Sequence, residues 1–136
     1  MRSSAVRVLA CLMVAVSLVG LGQRVLFAVD KIYWTDNGAS AIQRANPDGT
    51  EVENVLTGLG DPHPIVVDVY GGKIYWGESG QIMRANLDGT NVQVFPPSLG
   101  IHPALGCFFF SIALDVSGGK LYWTGCGIRR ATLDST

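Results

Sequence analysis

KIYWTD, residues 31–36, places an aromatic pair inside a strand-like stretch, and the arrangement returns as KIYWGE at 73–78 and KLYWTG at 120–125. The first two copies begin 42 residues apart, and the second and third begin 47 residues apart. Stretches that recur at a fixed period of about 20–50 residues are the sequence signature of repeat architectures. The sequence therefore predicts a repeat protein, with an insertion at about 96–109 that lengthens the second interval.

The repeat unit extends on both sides of the aromatic pair. Downstream, the copies lead into the related segments IQRANPDGT, IMRANLDGT and IRRATLDST, which start at Ile42, Ile82 and Ile128. Upstream, two copies follow an apolar run and a glycine pair, in IVVDVYGGK from Ile65 and IALDVSGGK from Ile112. The apolar runs are typical of strands buried on both faces, and the segments NPDG and NLDG are typical of tight turns.

Each unit is interpreted as four strands whose exposure increases along the chain. The first strand is apolar, and the second carries bulky side chains on both faces. The fourth, as in EVENVL from Glu51, alternates polar and apolar residues and is half buried. Blades arranged around an axis need this gradient, because inner strands lie between neighbours and outer strands face solvent. The predicted fold is all-β, a partial β-propeller of about three four-stranded antiparallel blades.

The sequence YWTD at 33–36, with the RANPDGT that follows and the recurring Ile-Ala-Leu-Asp-type strand, resembles the YWTD repeat. This repeat is also called the low-density-lipoprotein-receptor class B repeat. The resemblance covers about residues 25–136 as three incomplete repeats, and it implies half of a six-bladed propeller that serves as an extracellular ligand-binding or structural module. The positions that match the repeat motif are Tyr33, Trp34, Asp36, Arg44, Asp48, Gly49, Asp68, Tyr75, Trp76, Arg84, Asp88, Gly89, Asp115, Tyr122, Trp123 and Arg130.

Two copies depart from the motif at its last positions. Gly77 and Glu78 replace Thr and Asp in the second copy, and Gly125 replaces the Asp in the third. We expect the carboxylate of Asp36 to satisfy backbone donors at the end of its strand. If this Asp also connects neighbouring strands or blades by hydrogen bonds, as the resemblance implies, the third blade lacks that connection.

The N-terminus is typical of a secretory signal peptide, because two arginines precede an uncharged apolar run over 8–22. This run is shorter than the roughly 20 residues that a membrane-spanning helix needs. Small residues end both GLG at 20–22 and LFA at 26–28, so either site fits cleavage. The later site divides the chain into a signal peptide, 1–28, and a propeller domain, 29–136. The predicted localisation is secreted, periplasmic or extracellular, with membrane association only if the signal stays uncleaved.

The charge of the domain gives no support for nucleic acid as a partner. From residue 29 onward, seven Lys and Arg stand against eleven Asp and Glu, a net charge of about −4. The basic residues are scattered and form no cluster in the sequence. Proteins that bind nucleic acid carry a basic patch or stripe, so the prediction is no nucleic-acid partner.

The residues whose side chains could take part in catalysis, metal binding or disulfide formation match no known motif in the sequence. His63 and His102 both precede a proline between two repeat units, so loop structure explains them. The two aspartates that precede the glycine pairs are repeat equivalents, which favours a structural role over an acid–base pair. Cys107 and Cys126 can form a disulfide in an oxidising compartment or remain two buried thiols. No Cys-x-x-Cys spacing supports a metal or redox site, and no catalytic residue, metal or cofactor is predicted.

The insertion carries three consecutive phenylalanines within PPSLGIHPALGCFFF at 96–110. Pro96 and Pro97 are expected to end the outer strand, because proline cannot continue a ladder of backbone hydrogen bonds. Phe108–Phe110 are expected to begin the inner strand of the third blade. The alternative is an exposed contact patch.

We interpret the chain as a secreted, non-catalytic binding or scaffold module for an unidentified protein or other extracellular ligand. The alternative is a propeller enzyme, a hydrolase or lyase or a remnant of one, which needs a polar cluster at the central axis. Three repeats cannot close a six-bladed ring, and exposed blade faces and strand edges favour association. Two chains can complete the ring as a homodimer, or the sequence is a truncated piece of a longer propeller.

Overall fold

A computed structural model describes residues 5–6, 31–96, 111–125 and 127–134. These residues form three antiparallel sheets, two of four strands and one of three, and they contain no helix. Within them, no helix long and apolar enough to cross a membrane is found. The prediction of an all-β fold with blade-like sheets is confirmed.

The first blade has the spatial order β1 (Ala5–Val6), β2 (Ile32–Asp36), β3 (Ala41–Ala45) and β4 (Glu53–Thr57). The inner position beside β2 is taken by β1, which pairs antiparallel with Tyr33 and Trp34. This strand comes from the segment that the sequence predicts to be a signal peptide. That assignment and its cleavage site stay predictions, because the rest of the segment lies outside the described residues.

The second blade follows the same order with β5 (Ile65–Asp68), β6 (Lys73–Glu78), β7 (Gln81–Asn86) and β8 (Gln93–Val94). Its strands show the expected gradient of burial. The centre of β6 is fully buried, whereas both residues of β8 are half-buried. The outer strand ends before Pro96, as the sequence predicts.

The third blade contains β9 (Ser111–Asp115), β10 (Lys120–Gly125) and β11 (Gly127–Thr132), with β10 in the middle. Some of the sequence predictions fall outside the described residues and stay predictions. They concern the disulfide, the loop histidine and the phenylalanines of the insertion, which are Cys107, Cys126, His102 and Phe108–Phe110.

Alternation along the second strand divides the aromatic pair between the two faces of each blade. We call these the Tyr face, which carries Tyr33, Tyr75 or Tyr122, and the Trp face, which carries Trp34, Trp76 or Trp123. One buried cluster joins the Tyr face of the first blade to the Trp face of the second; it contains Tyr33, Ile42, Ile65, Val67, Ile74, Trp76 and Ala85. A second cluster repeats this between the second and third blades; it contains Tyr75, Ile82, Phe95, Leu121 and Trp123.

Candidate binding surface and blade interfaces

In each blade the Tyr of the aromatic pair lies directly opposite an Arg of the following strand, in the pairs Tyr33–Arg44, Tyr75–Arg84 and Tyr122–Arg130. Tyr33 Oη and Arg44 Nη1 both donate to the carbonyl oxygen of Leu87 in the second blade, at 3.4 and 3.1 Å. Arg84 Nη1 donates in the same way to the carbonyl oxygen of Leu133 in the third blade, at 3.5 Å. Arg44 and Arg84 therefore each connect their own blade to a turn of the next one.

The buried Arg84 is held by several groups at once. Its guanidinium lies 4.8 Å from the ring centroid of Phe95, within the range of a cation–π interaction. Its Nη2 donates to Gln93 Oε1 at 3.3 Å. Tyr75 contacts the same Phe95 ring edge-on, with the centroids 5.2 Å apart. Burial raises the pKa of the Tyr75 phenol, because the ionised form is disfavoured away from water.

The strand-end aspartates and the glycine pairs form one structural unit. Asp68 Oδ1 accepts from the backbone N–H of Gly71 at 2.8 Å, and Asp115 Oδ1 accepts from that of Gly118 at 2.8 Å. A Cβ added at Gly71 would lie 2.3 Å from Asp68 Oδ2, and one added at Gly118 would lie 2.2 Å from Asp115 Oδ2. The second glycine of each pair has φ of +67° or +61°, a conformation that favours glycine. These aspartates cap turns.

The Asp-Gly-Thr turns are closed by their own side chains. Asp48 Oδ1 accepts from the N–H and the hydroxyl of Thr50, at 2.9 and 2.7 Å. Asp88 makes the same two bonds with Thr90, at 2.9 and 2.6 Å. The threonine bonds, the hydroxyl first, hold the pKa of both carboxyls below the ordinary value, because they favour the charged form. The two turns are therefore rigid and carry a negative charge.

The turn of the second blade also makes a close backbone contact with the first blade. A Cβ added at Gly89 would lie 2.3 Å from the carbonyl oxygen of Val55 in β4. The equivalent Gly49 has nothing within 4 Å of the same point, although its φ is nearly identical, +84° against +83°. Gly89 is thus needed both for the turn and for the approach of two blades.

Both kinds of turn lie at the same end of each blade. The N–H of Leu87 donates to Gly72 at 3.2 Å, and the N–H of Leu133 donates to Gly119 at 2.9 Å. We call this end the glycine-turn face, made of residues 46–52, 69–72, 86–92, 116–119 and 133–134. Among the described residues six large apolar side chains are exposed, and five of them lie on this face: Val52, Val69, Tyr70, Val92 and Val116.

Charged side chains lie on the glycine-turn face together with these apolar side chains. Lys31 Nζ donates to Asn46 Oδ1 at 2.7 Å and pairs with Glu51 at 2.9 Å. Lys73 donates to Asn86 in the same way. Because Lys31 and Lys73 are hydrogen-bonded to the repeat asparagines, the exposed charges of this face are mainly the carboxylates of the turns. Exposed apolar side chains bordered by polar residues are typical of a protein-binding patch.

The carboxylates of the second strands act at the opposite end of the blades. Asp36 Oδ1 accepts from the N–H of Ala39 at 2.9 Å, so it caps its own turn. Glu78, which replaces this Asp in the second copy, accepts from the N–H of Gly60 and from Trp76 Nε1. Gly60 lies in the connection that leads into the second blade. At this position the hydrogen bond to the segment that connects the first two blades is therefore accepted by Glu78.

The described residues do not bring an acid–base constellation together. His63 is half-exposed, and its ring nitrogens lie 3.1 Å from Asn37 Nδ2 and 3.6 Å from an Asp61 oxygen. Asp68 and Asp115 cap turns at the other end of the strands. Within the described ranges, no group of three His, Cys, Asp or Glu side chains could hold a metal ion. Among residues 31–96, 111–125 and 127–134, the polar cluster that the enzyme interpretation requires is not found.

Sequence reasoning missed two sets of residues. Leu87 and Leu133 accept the blade-connecting hydrogen bonds through their carbonyl oxygens, a role that no side-chain pattern indicates. The exposed apolar residues of the glycine-turn face were also missed. Val69 and Tyr70 follow a buried strand directly, and an apolar pair inside a glycine turn was the available signal.

The comparisons with known proteins agree with this architecture. No family model matches the chain. Over an alignment of 75 positions, which covers 46% of this chain and 24% of the other protein, the chain is 35% identical to a low-density lipoprotein receptor-related protein 1 of Pyricularia oryzae, strain 70-15. Over an alignment of 89 positions, which covers 58% of this chain and 35% of the other protein, the chain is 28% identical to a human low-density lipoprotein receptor-related protein 5-like protein.

A solved structure extends the similarity to the fold. A chain in the crystal structure of a nidogen/laminin complex superposes on 80% of this chain with a TM-score of 0.67 and 30% identity. The match covers 42% of that chain. The present chain thus spans between about a quarter and two-fifths of the relatives it matches. The relatives' names describe receptor-related and nidogen or laminin proteins and no enzyme. The chain folds as blades of a β-propeller, and its three repeats resemble the YWTD, or low-density-lipoprotein-receptor class B, repeat.

Proposed function

We propose that the chain is a secreted, non-catalytic module that binds an extracellular protein through the glycine-turn face. The observation that carries the proposal is the segregation of exposed apolar side chains. Tyr70 is 81% exposed, and Val52, Val69, Val92 and Val116, which lie in turns on the same face, are 44–58% exposed. Exposing such groups to water is unfavourable, so a concentrated set marks a binding site better than scattered ones do.

The rigidity of the surrounding turns supports the same surface. Each apolar side chain is on or beside a turn that is fixed by an aspartate. Asp68 fixes the turn of Val69 and Tyr70, and Asp88 fixes the turn before Val92. Binding to a preorganised surface loses little conformational entropy. The similarity to a chain from a nidogen/laminin complex supports a protein as the ligand, and laminin is the defined probe.

Replacing Tyr70 with Ser tests this surface. We expect at least a roughly 10-fold weaker affinity for laminin, since truncating a central aromatic commonly removes much of the binding energy. Thermal stability should stay unchanged, because the side chain is 81% exposed. Surface-plasmon resonance and thermal unfolding of the same preparations measure both quantities.

The matched control is Asn37→Ser, an exposed polar position at the opposite end of the blades. It should leave binding unchanged. If laminin does not bind, a photo-reactive side chain at position 70 should cross-link one defined extracellular protein, and the same group at position 37 should not. Equal labelling at both positions, or no binding and no cross-link, would contradict the proposal.

Export is the second part of the proposal. The apolar run at 8–22 and the small residues before positions 23 and 29 support cleavage of a signal peptide. We expect the N-terminal sequence of material collected outside the producing cells to begin between residues 21 and 29. Intact Met1 in a membrane fraction would show an uncleaved anchor instead. Edman sequencing or N-terminal peptide mass analysis distinguishes the two outcomes.

A second copy of the chain is a further proposed partner. It would use the blade faces at the two ends of the three-blade arc and leave the glycine-turn face available. The support is that both internal interfaces are built from the same repeat positions, which recur on the two end faces.

A further inference from the structure

We propose that the two ends of the arc are complementary halves of one junction, and that the Tyr face of the third blade docks on the Trp face of the first blade of a second copy. The inference rests on the second copy proposed above as a partner and names the contacts that such a copy would make. It is independent of the glycine-turn face, so variants at Tyr70 separate the two proposals.

The clearest evidence is one repeat position that changes its environment at the end of the arc. Ile42, Ile82 and Ile128 occupy equivalent positions on the Tyr faces of the three blades, opposite Thr35, Gly77 and Thr124. Ile42 is 0% exposed and Ile82 is 4% exposed, because each faces the next blade. Ile128 is 82% exposed. The equivalent residues Ile42 and Ile82 show that a side chain at this position packs against the Trp face of a neighbouring blade.

The donors that surround Ile128 are also unused. In the two internal junctions the Arg of the Tyr face reaches a carbonyl oxygen of the next blade. Arg130, the third member of the set, is exposed, and its side chain makes no hydrogen bond or ion pair within the described part of the chain. Tyr122 lies directly opposite it on β10 and is only half-buried. The third Tyr face therefore presents an apolar group and two donors without acceptors among the described residues.

The opposite end of the arc offers the matching acceptors. Ile32 and Trp34 are half-buried, whereas their equivalents Ile74 and Trp76 are 0% exposed in the first internal junction. Pro47 occupies the repeat position of Leu87 and Leu133, in the turn Asn-Pro-Asp-Gly. The junction would place Ile128 and Tyr122 against Ile32 and Trp34. The Arg130 guanidinium would donate to the carbonyl oxygen of Pro47.

This contact is heterologous, because the two copies contribute different surfaces to it. A heterologous contact closes into a ring when the rotation permits and otherwise extends into a filament. The structural match shows which outcome is expected. Most of this chain, 80%, superposes on 42% of a propeller chain, so two copies supply nearly the number of blades in one ring. We expect a closed dimer with two identical junctions.

Sedimentation of the purified chain over a concentration series tests the junction. The unmodified chain should form a dimer, and Ile128→Asp should weaken self-association by at least about 10-fold, since a charge replaces a buried apolar side chain. Tyr70→Ser is the matched control, because Tyr70 is as exposed as Ile128, at 81%. It should leave the dimer intact. Thermal unfolding of each variant shows that it is folded.

A mixing experiment tests that the two ends are different halves of one contact. A second variant, Gln43→Glu, adds charge beside Trp34 on the Trp face of the first blade. Each variant alone should be weakened as a homodimer, and an equimolar mixture should form a 1:1 complex through the one unmodified junction. A chain that stays monomeric at all concentrations would overturn the proposal. So would a dimer that is insensitive to Ile128→Asp or a mixture that does not complement.

Discussion

Trp76→Ala is expected to lower the free energy of unfolding by about 3–5 kcal/mol, the usual cost of removing a buried Trp side chain. Trp76 is 0% exposed and lies in the cluster that joins the first two blades. The variant leaves a cavity between blades and frees Glu78, which accepts from Trp76 Nε1 at 2.8 Å. Urea unfolding followed by circular dichroism measures the change.

The matched control is Trp34→Ala, at the equivalent position of the first blade. Trp34 is half-buried and belongs to neither internal cluster, and its Nε1 donates to Gln43 at 3.0 Å. At concentrations where the chain is monomeric, this variant should cost less than half as much as Trp76→Ala. Equal losses at the two positions would show that contacts between blades are not what stabilises the arc.

Gly89→Ala is expected to cost about 2–4 kcal/mol. Positive φ at a residue with a Cβ accounts for about 1–2 kcal/mol of this. The remainder comes from overpacking, because the new Cβ would meet the carbonyl oxygen of Val55 at 2.3 Å and push two blades apart. The loss should appear in urea unfolding and should be larger than that of any exposed substitution in the same turn.

Gly49→Ala separates the two contributions. Its φ of +84° carries the same backbone strain, but no atom lies within 4 Å of the added Cβ. It should therefore cost only about 1–2 kcal/mol. The difference between the two variants measures the contact between blades. If they are equally destabilising, Gly89 acts only within its own turn.

The sequence allowed prediction of the repeat, the strands and, in the second blade, the burial of both aromatic residues of the pair, because these depend on local alternation and turn chemistry. The apolar-rich β6 and the half-buried β8 lie as the pattern predicts. The sequence also placed Arg44 and Arg84 correctly within their strands. It could not show which neighbour each face meets, because that depends on how the sheets stack in space.

The candidate binding face was harder to predict for a different reason. Its members are single valines and one tyrosine on or beside separate turns, and they lie on one face only because every blade presents the same end. No short window of the sequence contains that information. The pairing of Ala5–Val6 with β2 could likewise not be predicted, because the partner residues lie about 28 residues further along the chain.

The acceptor of the blade-connecting hydrogen bonds is a main-chain oxygen, of Leu87 in one interface and of Leu133 in the other. A carbonyl group is present whatever side chain the residue carries, so these bonds do not distinguish one unit from another. Units joined in this way are interchangeable with respect to this bond. A gene that encodes them can gain a unit by duplication or lose one by deletion, and the Arg of one unit still meets a main-chain acceptor in its new neighbour.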